Sequence, residues 1–182
     1  KLFTDTTVRE KFPAIIVFPQ CPADNYWSNV KFPMVNGKRT FEFAKGGKPT
    51  VAMKLLMGLV DELEDKPYTD DNRLYVGGLS MGGMGTFELL RRMKGQFAAA
   101  FAICGGDNLK NTNKYKKVPL WIFHGAKDDV VPPENSQTIV NALKAKGADV
   151  KFTLYPDANH NSWDQAFAEP QLLPWLFSHK KD

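Results

Sequence analysis

Residues 75–87 read Tyr-Val-Gly-Gly-Leu-Ser-Met-Gly-Gly-Met-Gly-Thr-Phe, so five glycines surround one serine, Ser80. Gly78 to Gly82 fit the pattern G-x-S-x-G. An apolar run typical of a buried strand precedes the serine, and apolar residues at helical spacing follow it. A strand that turns at once into a helix holds its serine in a sparsely allowed backbone conformation and exposes the hydroxyl. The stretch therefore predicts a strand–turn–helix unit with Ser80 as a nucleophile.

The glycines of this unit are predicted to meet different structural requirements. Strand and helix nearly touch beside the serine, so we expect that side chains do not fit at Gly78 and Gly82. Gly83 and Gly85 are expected to let the start of the helix lie close to neighbouring backbone. The positive end of the helix dipole would face the negative charge that develops in acyl transfer, and the N–H of Met81 would donate to that oxyanion. A glycine-rich turn with an incidental serine is the alternative.

The rest of the chain alternates between short apolar runs and helical patterns. The apolar runs, which predict strands buried on both faces, are 14–18, 74–79, 98–104, 120–123 and 150–155. The helical patterns cover 51–66, 84–93 and 134–146, the last ending before Gly147. This alternation indicates an α/β fold with a mostly parallel sheet and right-handed crossovers. Residues 19–50 are predicted to form a long irregular connection or a small excursion over the sheet, and residues 1–182 a single domain.

Composition narrows the possible functions. The 182 residues are 43% hydrophobic and 24% charged, with a net charge of +4, as in ordinary soluble globular domains. The lysines are scattered, so we expect no nucleic-acid partner, and no apolar run is long enough to span a bilayer. The N-terminal residues 1–12 are polar and charged and do not form a signal peptide, which leaves the compartment open.

A serine hydroxyl needs a base to act as a nucleophile near neutral pH, and the chain has three histidines. His160 lies in a polar loop just after the last predicted strand, from which it could reach the serine. His124 ends an apolar strand and is expected to be structural, and His179 lies in the charged tail and is expected to be solvated. The sequence therefore favours His160 as the base.

The base in turn needs a carboxylate that orients its ring. Candidates are Asp128, Asp129, Asp157 and Asp164. Asp128 follows the strand that ends at Phe123, so its loop opens at the same sheet edge as the serine. Asp129 should point away if Asp128 points in, and Asp157 could instead cap its own loop. The favoured order, Ser80, Asp128, His160, is the chain order of α/β-hydrolase triads.

Five segments carry a resemblance that extends over most of the chain. They are FPQCP (18–22), YTDDNRLYVGGLSMGGMGTFELL (68–90), FAAAFAICGG (97–106), WIFHGAKDDVVPPENS (121–136) and YPDANHNSWDQAF (155–167). The sequence resembles α/β-hydrolase esterases of the phospholipase/carboxylesterase or predicted-peptidase group, which are similar to feruloyl-esterase-like and polyhydroxybutyrate-depolymerase-like enzymes. The resemblance implies a three-layer α/β-hydrolase fold and a cofactor-free esterase with Ser80 as nucleophile, Asp128 as acid and His160 as base.

One departure from this group concerns the N-terminal side. The group has a His-Gly oxyanion motif upstream of the PQCP stretch, and its strand order runs 1-2-4-3-5-6-7-8. By this resemblance residues 14–18 would be strand four and residues 74–79 strand five, and strand three, which lies between them, is missing from the sequence. We therefore expect that the N-terminal strands are lacking, that a missing segment or another chain completes the sheet, and that the two runs do not pair directly.

The same strand order bears on the two cysteines. Three strand spacings separate Cys21 from Cys104, roughly 14 Å, whereas a disulfide needs Cα atoms within about 7 Å. We expect two free, largely buried thiols. No cluster of His, Cys and Asp residues has the spacing of metal ligands along the chain, so no metal site is predicted.

The substrate is the least determined feature. Trp27 and Trp163 flank the predicted site, and each could line an acyl or aryl pocket or belong to the core. The expected substrates are short-chain or aryl carboxylic esters, and the resemblance adds feruloyl or acetyl esters on plant polysaccharides. Two alternatives stay open, a serine peptidase of the same fold and a non-catalytic binding module that keeps a relic triad.

Overall fold

The computed structural model describes residues 2–181. The N-terminal part contains α1 (Thr6–Lys11), four two-residue strands, β1 (Val30–Lys31), β2 (Met34–Val35), β3 (Lys38–Arg39) and β4 (Glu42–Phe43), and then α2 (Val51–Glu64). The remaining elements are β5 (Tyr75–Leu79), α3 (Met81–Arg92), β6 (Ala99–Ile103), β7 (Leu120–Gly125), α4 (Glu134–Lys144), β8 (Val150–Tyr155), α5 (Trp163–Ala168) and α6 (Leu172–Ser178). Short 3-10 helices lie at Leu2–Thr4, Asp71–Arg73 and Leu109–Lys114.

The central sheet has four parallel strands in the order β5-β6-β7-β8. Every residue of β6 and β7 is buried, which explains why these two segments read as continuous apolar runs. Ala100, Ala102 and Ile122 face a core cluster formed with α2, α3 and α4. Ala99, Phe101 and the other alternate residues face a second cluster formed with α5 and α6. The predicted parallel sheet between two layers of helices is confirmed.

The prediction of a strand at residues 14–18 is wrong, because these residues form no strand. Their large side chains are exposed, Ile15 by 60% and Phe18 by 71%. A strand is stabilised by hydrogen bonds to a neighbour, and no strand within residues 2–181 pairs with this segment. Pro13 and Pro19, which lack an N–H, bound it on both sides. Within the described residues the segment does not pair with β5, as expected.

The connection predicted over residues 19–50 contains two small antiparallel pairs, β1 with β4 and β2 with β3. Side chains that follow β6 hold it against the sheet. Asn108 donates to the carbonyl of Phe43 at 2.8 Å, and Asn111 donates to that of Ala44 at 3.1 Å. The connection therefore packs beside the segment that leaves the carboxyl end of β6. None of the helices within residues 2–181 has the length and apolar character needed to cross a membrane.

The turn between β5 and α3 shows which glycines the geometry requires. A Cβ added at Gly78 would lie 2.3 Å from the carbonyl oxygen of Gly82, and one at Gly83 would lie 2.6 Å from that of Ile103. At Gly85 the added carbon would meet the Cβ of Trp27 at 2.6 Å. A Cβ at Gly82, in contrast, would meet nothing within 4 Å. The expectation of crowding was right for Gly78 and wrong for Gly82. The backbone of Gly82 fills the space where a side chain at Gly78 would lie, whereas a side chain at Gly82 would point into open space.

Gly78→Ala is expected to destabilise the fold, since its methyl group would overlap backbone atoms that cannot move independently. Overpacking of this kind costs about 1–3 kcal/mol, to be measured as the free energy of unfolding in urea. Gly82→Ala is the matched control within the same turn. It places a methyl group in open space inside a helix and should be neutral or stabilising by up to about 1 kcal/mol. Equal losses in both variants would contradict this account of the turn.

Candidate active site

Ser80 lies between the end of β5 and the start of α3, at the turn that the sequence predicts. Its φ is 52° and its ψ is −115°, a strained conformation for a residue with a side chain. Two hydrogen bonds fix this backbone: the N–H of Ser80 donates to the carbonyl of Ile103 at 2.9 Å, and the carbonyl of Ser80 accepts from the N–H of Met84 at 3.0 Å. The turn is therefore anchored both to the neighbouring strand and to its own helix.

The three residues selected from the sequence meet at the carboxyl edge of the sheet. Asp128 lies in the loop after β7 and His160 in the loop after β8. Ser80 Oγ is 3.0 Å from His160 Nε2, and His160 Nδ1 is 2.8 Å from Asp128 Oδ2. The carboxyl ends of parallel strands share one edge, so side chains separated by 80 positions along the chain come within hydrogen-bond distance.

The other candidate carboxylates lie outside this group. Asp129 is exposed, and Asp157 is 84% exposed in its side chain and forms a surface ion pair with Lys127. Asp164 accepts a 3.4 Å hydrogen bond from Asn161. His179 departs from the expectation of a solvated side chain, because its ring packs edge-on against Trp175 and is 21% exposed.

Asp128 is buried, and polar groups contact both of its carboxylate oxygens. Oδ1 accepts from the N–H groups of Val130 and Val131, both at 2.9 Å, and Oδ2 faces His160 and His124. Burial alone would raise the pKa of this carboxyl. Interactions with His124 and His160 and hydrogen bonds from the two amides outweigh burial and lower the pKa to about 2. The side chain is therefore an ionised, fixed acceptor near neutral pH.

His124 is the residue of this site that sequence reasoning missed. It was expected to be structural as the end of an apolar strand, and it is fully buried in β7. Its Nε2 lies 3.2 Å from Asp128 Oδ2 and 2.9 Å from the carbonyl oxygen of Val131. The spacing of His124 and Asp128, four residues apart across a turn, is a signal from which this contact could have been found.

Three further predicted residues take different positions. Met81 is the first residue of α3, and its N–H is among those that a helix leaves without an intrahelical acceptor. Trp163 contacts His160 edge-to-face, with ring centroids 5.3 Å apart. Trp27 packs against Gly85 of α3 and the core cluster around α2, α3 and α4. The structure thus brings Trp163 beside His160, whereas Trp27 packs against the core.

Cys21 and Cys104 are both free and buried, as expected. Cys104 follows β6, and burial raises the pKa of its thiol to about 12. Potential ligand atoms of Cys104, Asp128 and His160 lie within 4.8 Å of one another, a grouping that spacing along the chain does not reveal. His160 Nδ1 and Asp128 Oδ2 already bond each other, so an ion there would have to displace that hydrogen bond. We therefore assign no metal ligands.

The lowered pKa of Asp128 predicts how stability depends on pH. Its folded-state pKa lies below the ordinary value of 3.8, so its contribution is complete above that value and is lost as the pH falls toward about 2. The loss should amount to about 2 kcal/mol, measured by urea unfolding between pH 5 and pH 2. Asp128→Asn should lose less stability over this range than the wild type. Asp129→Asn, in the exposed neighbour, should keep the wild-type slope, and a shallower slope in that control would contradict the assignment.

Comparison with known proteins identifies the family. The model of the dienelactone hydrolase family matches residues 39–171. A bifunctional acetylxylan esterase/xylanase from Neocallimastix patriciarum is 34% identical over 87 residues, which are 47% of this chain and 12% of that protein. An acyl-protein thioesterase 1 from Gibberella zeae is 32% identical over 74 residues, which are 37% of this chain and 32% of that protein.

The solved structure of a thermostable esterase matches 99% of this chain with a TM-score of 0.85 and 29% identity. The match covers 48% of that esterase, so the chain spans about half of it and a smaller part of the two curated relatives. The family model covers the strained turn at Ser80, the loop of Asp128 and the loop of His160. On this match the chain belongs to the dienelactone hydrolase family, and the predicted α/β-hydrolase fold is confirmed.

Proposed function

We propose that the protein is a serine carboxylesterase that works through an acyl-enzyme. The observation that carries this proposal is the continuous hydrogen-bond path from Ser80 Oγ through the His160 ring to Asp128 Oδ2. Family membership supports ester hydrolysis as the reaction, and among the relatives are an acetylxylan esterase and an acyl-protein thioesterase.

The first step follows from the state of Asp128. Its carboxylate is ionised and accepts, so His160 Nδ1 carries a proton and donates it to Oδ2. In the neutral ring Nε2 is then bare and accepts from the hydroxyl of Ser80. His160 can take that proton as Ser80 attacks an ester carbonyl, and Asp128 stabilises the imidazolium that forms.

The oxyanion of the tetrahedral intermediate needs donors that are already oriented. The N–H of Met81 lies at the first position of α3, next to the attacking oxygen, and the positive end of the helix dipole adds to its effect. His160 then protonates the leaving alcohol. A water molecule, deprotonated by the same ring, releases the acid from Ser80.

The substrate class rests on the surroundings of His160. Trp163 places an aromatic ring edge-on to the imidazole, and its side chain is half-buried. We assign it to the wall against which a short acyl or aryl group packs. Short-chain and aryl carboxylic esters are the proposed substrates, and an acetyl or feruloyl group on a plant polysaccharide is the candidate natural form.

Ser80→Ala should reduce hydrolysis of p-nitrophenyl acetate by at least about 1,000-fold, because no other hydroxyl can take its place on His160. Initial rates at 405 nm would measure this. Ser178→Ala is the control, since Ser178 lies near the C-terminus and bonds to Trp175. Unchanged turnover in Ser80→Ala would contradict the proposed mechanism through Ser80.

A fluorophosphonate probe separates the remaining candidate functions. An active site of the proposed kind should be labelled at Ser80, whereas a non-catalytic module with a relic triad should not react. Parallel assays with p-nitrophenyl acetate and a matched p-nitroanilide would separate an esterase from a peptidase. Labelling together with faster anilide hydrolysis would favour the peptidase.

A further inference from the structure

A buried row of polar groups continues beyond Asp128, on the side away from the nucleophile. Ser136 of α4 lies with its Oγ 2.7 Å from His124 Nδ1 and 3.0 Å from the carbonyl oxygen of Gly105. Both Ser136 and His124 are fully buried. The row thus joins the segment after β6, the first turn of α4, the end of β7 and the carboxylate that orients His160.

The donors and acceptors of this row limit the protonation state of His124. Its Nε2 faces the carbonyl of Val131 and the ionised carboxylate of Asp128, which both only accept, so Nε2 carries a proton. At the other end, the carbonyl of Gly105 also only accepts. The single hydroxyl proton of Ser136 can satisfy either that carbonyl or His124 Nδ1, but not both.

Every group in the row is satisfied if His124 Nδ1 also carries a proton. Nδ1 then donates to Ser136 Oγ, and the hydroxyl donates to the carbonyl of Gly105. With a bare Nδ1, either the buried carbonyl of Gly105 or Nδ1 itself is left without a donor, which is costly in a dry interior. The adjacent carboxylate at 3.2 Å compensates for the charge of a doubly protonated ring.

We propose that His124 is a positioning residue of the active site that, held by Ser136, pairs with Asp128 as a buried imidazolium. This inference rests on the proposed function, because its consequence concerns the base His160. The carboxylate of Asp128 then contacts two imidazole rings. His124 fixes the orientation of the carboxylate, and the carboxylate stabilises the charge that His160 gains during the reaction.

The consequence follows from the charges around Asp128. The groups facing it are His124 of β7, His160 from the loop after β8, and the Cys104 thiol after β6, which burial keeps neutral. Lys127 and Asp157 pair with each other at the surface. A positive charge on His124 offsets the carboxylate and disfavours a second cation beside it. The charge on His124 therefore opposes the addition of a second proton beside Asp128, at His160.

The protonation state itself is measurable without any activity assay. In protein with 15N-labelled histidine, His124 should show two protonated ring nitrogens throughout the pH range of function. His124→Gln and His179→Gln spectra would assign the signals of the three histidines. A bare Nδ1 on His124 in the wild type would overturn the proposal, and this test holds whether or not the protein hydrolyses esters.

The kinetic test compares pH profiles of kcat/KM. Glutamine can reach Asp128 with a neutral amide, so His124→Gln keeps a donor and removes the charge. The acid limb should move to higher pH, because the variant lacks the charge that opposes a second proton beside Asp128. His179→Gln is the matched control and should leave the acid limb in place. An unchanged acid limb in His124→Gln, even with a lower kcat, would show a merely structural role and overturn the proposal.

Ser136→Ala provides a second variant if His124→Gln does not fold. It removes the acceptor of Nδ1–H and leaves the imidazole present. We expect His124 to lose one ring proton in the 15N spectrum and the acid limb to move in the same direction. Retention of both ring protons together with the wild-type acid limb would contradict the role given to Ser136. If the wild type lacks esterase activity, the proposed function fails, and the 15N spectra still decide the state of His124.

Discussion

The structure of the site depends on the buried carboxylate of Asp128. Three hydrogen bonds converge on it, from two backbone amides of its own loop and from His160, and His124 Nε2 lies 3.2 Å from its Oδ2. A buried ionised group is tolerated only when its hydrogen-bonding positions are filled. The loop after β7 fills these positions, and its carboxylate orients the ring of His160, whose Nε2 lies 3.0 Å from Ser80 Oγ.

The position of Ser80, the proposed nucleophile, depends on a different constraint, the strain of one backbone position. Ser80 holds a positive φ that a residue with a side chain adopts only when its surroundings impose it. The hydrogen bond from its N–H to Ile103, and the contact of Gly78 with the backbone of Gly82, impose it here. The sheet and α3 thus hold Ser80 in its strained conformation, and the carboxylate of Asp128 orients the ring of His160.

The region around residues 14–18 shows how far an apolar pattern can mislead. These residues have the composition of a buried strand, yet they lie exposed and unpaired within the described part of the chain. A β-strand is defined by hydrogen bonds to another strand, so composition can indicate a tendency but cannot provide a partner. The strands β5 to β8 form hydrogen bonds with their neighbours in sequence order, and for this reason their prediction succeeded.

The sequence by itself determined the strand–turn–helix unit at Ser80, the strand at residues 150–155 and the chain order of Ser80, Asp128 and His160. These features depend on local patterns, namely glycine spacing, apolar periodicity and position after a strand. Tertiary structure decided the rest. Strand β7 runs on to Gly125, beyond the predicted end at Phe123, because its pairing with β8 continues to Tyr155. Only packing brings Ser136 of α4 against His124 and leaves space at Gly82 but none at Gly78. Such contacts join residues that are far apart in the sequence. They produce no periodic pattern along the chain, so the sequence alone does not reveal them.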